Sequence, residues 1–186
     1  MTRLEQAALT KIELNRIAET LTQPTLVEAC KKVIHDPKFV VAFGGSTHHA
    51  YEGGLANHTL EVVNYALGML AMFPGVSRDV VVTACIFHDY MKIKDYSASR
   101  LPNGSVTVNK TPYRSLVRHL SGSHAEFMKA IDGKTLHEDT ILRIEHCILA
   151  HHGREEWGSP VVPQLPESYI VHYADEFSAK FGASRR

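Results

Sequence analysis

Four segments of this sequence carry the helical period, and each sets one metal-competent side chain among the apolar residues of its inner face. Positions three, four and seven apart line one side of a helix. By that rule His58 shares a face with Val62 and Tyr65, and His88 shares one with Val81, Ala84 and Cys85. His151 follows Ile148, Cys147 and Ile144 at the same spacings, and Asp175 comes four residues after Val171, beside the stripe Ile170, Ala174 and Phe177. A lone histidine on such a face is ordinarily a hydrogen-bonded core residue. Asp89 follows the most apolar helix of the chain, however, and an unpaired buried carboxylate is costly. A shared cation offsets the charges of Asp89 and Asp175 and accounts for the imidazoles around them. Helix bundles build metal sites from inward residues on facing helices.

Composition agrees. Histidine, with 12 residues, outnumbers both lysine and arginine, and all but His35 fall between His48 and His172. Cys30, Cys85 and Cys147 are far apart and form no CxxC pair, so a disulfide framework or a thiolate zinc site is not expected. Ligation by His and Asp without sulfur suits two divalent transition-metal ions, of Mn, Fe, Co, Ni or Zn. Two such cations about 4 Å apart, bridged by a carboxylate, activate water and polarise phosphoryl oxygens. Cationic help at a phosphate is also present, since six basic residues from Lys92 to Arg118 face the single acid Asp95. Lys92 lies one turn past His88 and Asp89, and Arg114 and Arg118 share a face just before His119. The formal net charge of +0 argues against a protein that grips long nucleic acid by charge alone.

Almost every segment reads as helix, which predicts an all-α bundle with a buried metal centre in one domain over residues 1–186. Helices are expected from Leu4 to Leu21, Thr25 to His35, Leu55 to Phe73, Tyr113 to Ile131 and Glu167 to Phe181. Ser77 is the expected N-cap of a central helix that is apolar on all sides from Val80 to Phe87. A capping box from Thr135 to Glu138 is expected to open a helix running to His152. Residues 39–43 fit helix or strand equally well. Residues 97–111 form an irregular excursion in which Asn103-Gly104 and the alternation of Val106 and Val108 suggest a small hairpin. The N-terminus lacks an apolar signal region and Val80 to Phe87 is too short to span a bilayer, so a soluble cytoplasmic protein without membrane contact is expected.

The order His58, His88-Asp89, Asp175 resembles the H…HD…D signature of the HD-domain metal-dependent phosphohydrolases. A longer likeness surrounds it. His48-His49-Ala50-Tyr51, Gly53-Gly54-Leu55 and His58-Thr59 resemble the HHAFxGGLxxHT segment of bacterial HD-domain 3′→5′ exoribonucleases. His88-Asp89-Tyr90-Met91-Lys92 resembles their HDxxK, and the stretch from His151-His152-Gly153 to Pro163 resembles their HHGxxEYGSPVxP. The likeness covers residues 47–181, behind a helical lead-in of residues 1–46. It implies that His58, His88, Asp89 and Asp175 hold one ion, and that Asp89 bridges to a second held by His119 and His151. His119 is preferred to His124 for that role; it stands in Arg118-His119-Leu120 where the relatives usually have Gly-His-Ile. Asp89 and Lys92 are the implied catalytic residues. Lys92 is expected to contact substrate phosphate, with His49, Arg114, Arg118, His124 and His152 lining the substrate site.

The activity these features imply is hydrolysis of phosphoester or phosphodiester bonds in nucleotides or at short single-stranded nucleic-acid 3′ ends. A nucleoside di- or triphosphate or cyclic-nucleotide hydrolase is the alternative. A non-enzymatic nucleotide- or partner-binding module with a structural metal is a third reading, and a homo-oligomer is left open. Those exoribonucleases carry a nucleic-acid-binding barrel ahead of the catalytic domain, and the roughly 47 residues before His48 are helical in pattern, so no such barrel is expected here. The aromatics beside the site-forming segments, Tyr51, Tyr90, Tyr113 and Trp157, suffice to stack one or two bases. Recognition of a single terminal or free nucleotide is therefore expected.

Overall fold

A computed structural model of the chain describes residues 3–100 and 106–182. Its elements in order are α1 (Arg3–Ala18), α2 (Pro24–Ile34), α3 (Pro37–Val41), α4 (Gly54–Leu70), α5 (Arg78–Phe87) and α6 (Lys92–Asp95). After these come β1 (Tyr96–Arg100), β2 (Val106–Lys110), α7 (Pro112–Leu116), α8 (His119–Ile131), α9 (Glu138–Ala150) and α10 (Pro166–Phe181). A single 3-10 turn at Glu155–Trp157 precedes α10. The protein is predominantly an α-helical bundle with one small hairpin, as the periodicity predicts.

α5 forms the centre. Every residue from Asp79 to Phe87 is buried, and the helix packs against α2, α4, α8, α9 and α10. A helix that is apolar all round has no face to give to water, so burial on every side is its stable placement. Ser77 caps it, with its hydroxyl oxygen accepting from the Val80 N–H at 3.4 Å. α4 packs against α5 and α10, which also touch each other, and supports α1. The three cysteines are free and buried, as small core residues.

Asp79, in the first turn of α5, fastens the α1–α2 connection to this core. Its carboxylate accepts from the Thr22 hydroxyl at 2.7 Å, the Thr22 N–H at 3.0 Å and the Gln23 N–H at 3.2 Å. Replacement by alanine leaves those donors without a partner at a nearly buried site. We expect Asp79→Ala to lower stability by about 2–3 kcal/mol, read as a lower urea midpoint at unchanged slope.

Several expected boundaries move. Residues 39–41 resolve as the end of α3, which Asp36 caps by accepting from the Lys38 N–H at 2.9 Å, while Ala42 after it is extended. The helix expected from Tyr113 to Ile131 is two helices, α7 and α8. Arg118 between them has φ 65° and ψ 154°, which no helix can contain. Arg114 and Arg118 consequently do not share a helical face. The capping box at Thr135 is not used. His137 caps α9 instead, its Nδ1 accepting from the Asp139 N–H at 3.2 Å, while the Thr135 carbonyl accepts from the Thr25 hydroxyl at 3.1 Å. In the excursion, β1 and β2 pair antiparallel with Tyr96 opposite Lys110 and Arg100 opposite Val106. The Asn103-Gly104 turn lies outside the described residues. Among the described residues no helix is long and apolar enough to cross a membrane.

Candidate metal centre

The ends of three helices and the faces of two others meet around Asp89. His58 lies on the inner face of α4 and Asp175 on α10, while His88 and Asp89 follow directly on α5. His151 and His152 follow α9, and His119 opens α8, where the backbone turn at Arg118 redirects the chain toward the centre. The two Asp89 oxygens face different neighbours. Oδ2 lies 3.2 Å from His58 Nε2 and 3.3 Å from His88 Nε2, and His58 Nε2 lies 3.1 Å from an Asp175 oxygen. Oδ1 lies 3.2 Å from His119 Nε2 and 3.6 Å from His151 Nε2. His152 joins that second side, its Nε2 standing 3.3 Å from His119 Nε2. Within each group, His58–His88–Asp89–Asp175 and Asp89–His119–His151–His152, the candidate ligand atoms lie within 4.8 Å of one another. That is close to the span of atoms each about 2.1 Å from a common ion.

The imidazoles are all oriented the same way. His88 Nδ1 donates to the Cys85 carbonyl at 2.7 Å, His151 Nδ1 to the Ile148 carbonyl at 2.7 Å, and His152 Nδ1 to the Trp157 carbonyl at 2.9 Å. His119 Nδ1 donates to an Asp95 oxygen at 2.7 Å. His58 Nδ1 donates to the Ser178 hydroxyl at 2.9 Å, which in turn donates to Glu61 at 2.9 Å. Each such bond places the proton on Nδ1 and leaves the Nε2 lone pair toward Asp89, the tautomer a metal requires.

The donor set fits divalent cations on a direct observation. Both Asp89 oxygens and His151 Nε2 are buried, and none takes part in a well-formed hydrogen bond. Oδ2 has only an ion pair with the Lys92 ammonium in addition to the crowded imidazole nitrogens. Burial opposes charge on Asp89, but Lys92, His88 and His119 outweigh it and hold the carboxyl well below its usual range. Burial likewise lowers His88 and His119, against the opposing pull of Asp89. On His58 burial is outweighed by the adjacent carboxylates of Asp175 and Asp89, which raise it to about 9. A cation held among these atoms would take the place of that proton.

Of the residues singled out from sequence, His58, His88, Asp89, Lys92, His119, His151, His152 and Asp175 come together here. His152 stands among the candidate ligands and not merely along the pocket wall. Burial works against the charge of Lys92, but Asp89 and Asp175 hold its ammonium above the usual range. Arg114 is committed elsewhere, donating to Asp95 at 3.1 Å and covering the Tyr96 ring. Arg118 is exposed and rests against Gly158. His124 is not brought to the cluster; it pairs with Glu145 at 2.6 Å.

His49 lies behind His58, bonded to Glu61 at 3.1 Å and to Tyr51 at 3.2 Å. Its neighbour His48 also lies beside His58, their ring centres 6.0 Å apart. Burial, then Lys92 and His58, bring its imidazole down to about 4. Two further residues escaped the sequence reading. Asp95, counted only as the lone acid of a basic stretch, is the group that orients His119. Ser178, which looks like an ordinary small helix residue, supports His58. The clue to Asp95 was its isolation among cations.

Two concavities adjoin these residues. The larger, about 630 Å³, lies on the Nδ1 side of His58 and is lined by Gln6, Thr10, His49, Tyr51 and Glu61 among others, away from Asp89. The smaller, about 240 Å³, is lined by His151, His152 and Asp175 together with Trp157, His172 and Glu176. The smaller is the one open to the cluster, so size here does not mark the reactive side.

A helical bundle with an aspartate shared between two His/Asp groups is the arrangement of a metal-dependent phosphohydrolase. The HD-domain family model matches residues 55–180, and the chain belongs to that family. Among curated proteins it is 30% identical over 193 residues to the 3'-5' exoribonuclease YhaM of Bacillus subtilis, covering 98% of this chain and 59% of that protein. It is 31% identical over 189 residues to the YhaM of Bacillus velezensis, covering 95% of this chain and 57% of the relative. The chain thus spans little more than half the length of these relatives. No solved structure matches it significantly.

Proposed function

We propose that this protein removes nucleotides from the 3′ end of short single-stranded nucleic acid by metal-dependent phosphodiester hydrolysis. The observation that carries the reading is the convergence of five Nδ1-anchored histidines on a carboxylate whose two oxygens face separate groups. The relatives named as 3'-5' exoribonucleases support the choice of substrate class. In this reading His58, His88, Asp89 and Asp175 hold one divalent ion, and Asp89, His119 and His151 hold a second, with His152 beside it. The ions, of Mn, Fe, Co, Ni or Zn, supply water activation and charge neutralisation at phosphorus. The protein's part is positional. Backbone carbonyls, Asp95 and Ser178 fix the imidazole rings, and Lys92 carries a buried positive charge beside the bridge for the phosphate. The 240 Å³ cavity at Asp175 and His152 receives the terminal nucleotide.

The test is a substrate panel on metal-reconstituted protein, comprising mono-, di-, tri- and cyclic nucleotides and short RNA and DNA labelled at the 5′ end. Stepwise shortening of labelled oligomers with release of mononucleotides is expected. Turnover of nucleoside triphosphates or cyclic nucleotides with oligomers left intact would overturn it.

A further inference from the structure

Beyond the metal centre, the chain presents aromatic side chains to water on one side of the Asp175 cavity. Trp157 is 51% exposed, Tyr169 47% and Tyr173 45%, although each is large and apolar enough to favour burial. Together with Gly153, Arg154 and His172 they line a second cavity of about 310 Å³. Trp157, His172 and Glu176 belong to the walls of both cavities, so the second continues directly from the first. The aromatic inventory read from sequence is therefore revised. Tyr90 is unavailable, since it packs on Phe39 and Phe87 and donates to Asp36 at 2.7 Å. Tyr169 and Tyr173, one turn apart on α10 with rings 23° from parallel, take its place.

The charges along this trough suit a polyanion. The Arg154 guanidinium lies 4.8 Å from the Trp157 ring centre, and Arg118 rests on the adjoining Gly158. Both arginines are exposed; neither has an ion pair within 4.0 Å among the described residues, although the Arg154 charge also acts on Glu176. The acid of the trough, Glu176, is paired with Lys180 at 2.7 Å. The trough has a built shape as well. Gly153 has φ +81°, and a Cβ there would come within 2.2 Å of the His172 ring. That close approach seats His172, whose Nδ1 donates to the His151 carbonyl at 2.8 Å, against the Tyr173 ring at 5.0 Å. The wall of the trough is thus bonded to the backbone of a candidate ligand.

We propose that the trough of Trp157, His172, Tyr169, Tyr173 and Arg154 binds the bases that precede the scissile linkage of a single strand. The inference rests on the proposed exonucleolytic reading and deepens it, because it makes the substrate an oligonucleotide and not a free nucleotide. Bases stack on the exposed rings without regard to sequence, and Arg154 and Arg118 face the phosphates between them. Two or three nucleotides span such a trough, so affinity rises over that length and then levels. This differs from the single-nucleotide recognition expected from the sequence.

Binding measured without turnover tests it. Trp157 is the only tryptophan, so its emission reports on the trough alone. Metal-loaded protein is titrated with phosphorothioate-linked thymidine mono-, di-, tetra- and octanucleotides. We expect quenching of Trp157 and a Kd that tightens at least about tenfold from mono- to tetranucleotide, then changes little. In Tyr173→Ala and in Arg154→Ala, both at exposed positions, that ratio of affinities should collapse toward one. Equal Kd values for mono- and tetranucleotide, no binding of oligomers, or an intact length dependence in both variants would each overturn the proposal. Length-dependent quenching in a protein that cleaves no oligomer would leave the trough standing and sink the exonucleolytic reading. Cleavage with no dependence on Tyr173 or Arg154 would do the reverse.

Discussion

Asp89→Asn is expected to empty both metal positions, whereas His119→Ala empties mainly one. Each Asp89 oxygen faces a separate group, so the loss of carboxylate charge weakens both sides at once. Removing the bridge forfeits several kcal/mol of transition-state stabilisation, and activity should fall on the order of 10³-fold. Elemental analysis of the purified variant checks the first statement, and kcat/KM on a labelled oligomer checks the second. A thermal measurement separates binding from folding. An ion present at 100 times its Kd stabilises the native state by about 2.7 kcal/mol, so added Mn²⁺ should raise the Tm of the wild type and not that of Asp89→Asn. The substitution also strips buried Lys92 of its partner, which by itself destabilises the protein. Asp89→Asn combined with Lys92→Met removes both charges and should recover the ion-free stability while remaining unresponsive to metal. Full metal content in Asp89→Asn would refute the shared-bridge arrangement.

The second large effect is expected at a residue that touches no ion. Asp95 accepts from His119 Nδ1 at 2.7 Å and from Arg114 at 3.1 Å, so it both fixes the ring and strengthens its basicity. Loss of such an orienting carboxylate typically weakens metal affinity by about 10–100-fold. Asp95→Ala should therefore retain one ion per chain at limiting metal, lose the other, and regain much of its kcat in excess metal. A purely structural role for Asp95 predicts no such rescue. Unchanged stoichiometry at limiting metal would rule out the positioning role.

Helical periodicity made half of the centre legible. His58, His88 and His151 recur at three, four and seven residues from buried aliphatics, and those spacings survive into the bundle because tertiary packing uses the same faces. His152 was harder to place, since a continuous helix would rotate it about 100° away from His151. α9 stops at Ala150, and the chain beyond it lets both rings turn toward Asp89. His49 stands apart from the cluster for a related reason. His49 takes a positive φ of 49°, and the loop turns it to the far side of His58. Asp95 and His119 meet across the hairpin, a pairing that no local period encodes. Tyr169 and Tyr173 were overlooked because attention to the inner face of α10 hides what its outer face presents. Even the inner stripe was read too broadly, since Phe177 is 39% exposed.

Arg118 shows a local preference being overruled. With φ 65° and ψ 154° it occupies a region that is essentially glycine's alone, at a cost on the order of 1–3 kcal/mol. A glycine there would adopt the bend freely, yet it would bring no side chain to Gly158 beside Trp157. The same peptide that aims His119 at Asp89 also projects a guanidinium over the loop that walls the trough. One backbone torsion thereby sets the distance between two parts of the surface that a bound strand would have to touch together. Any change of that torsion would move both the His119 ring and the Arg118 guanidinium, so their separation depends on one residue in a glycine-like conformation.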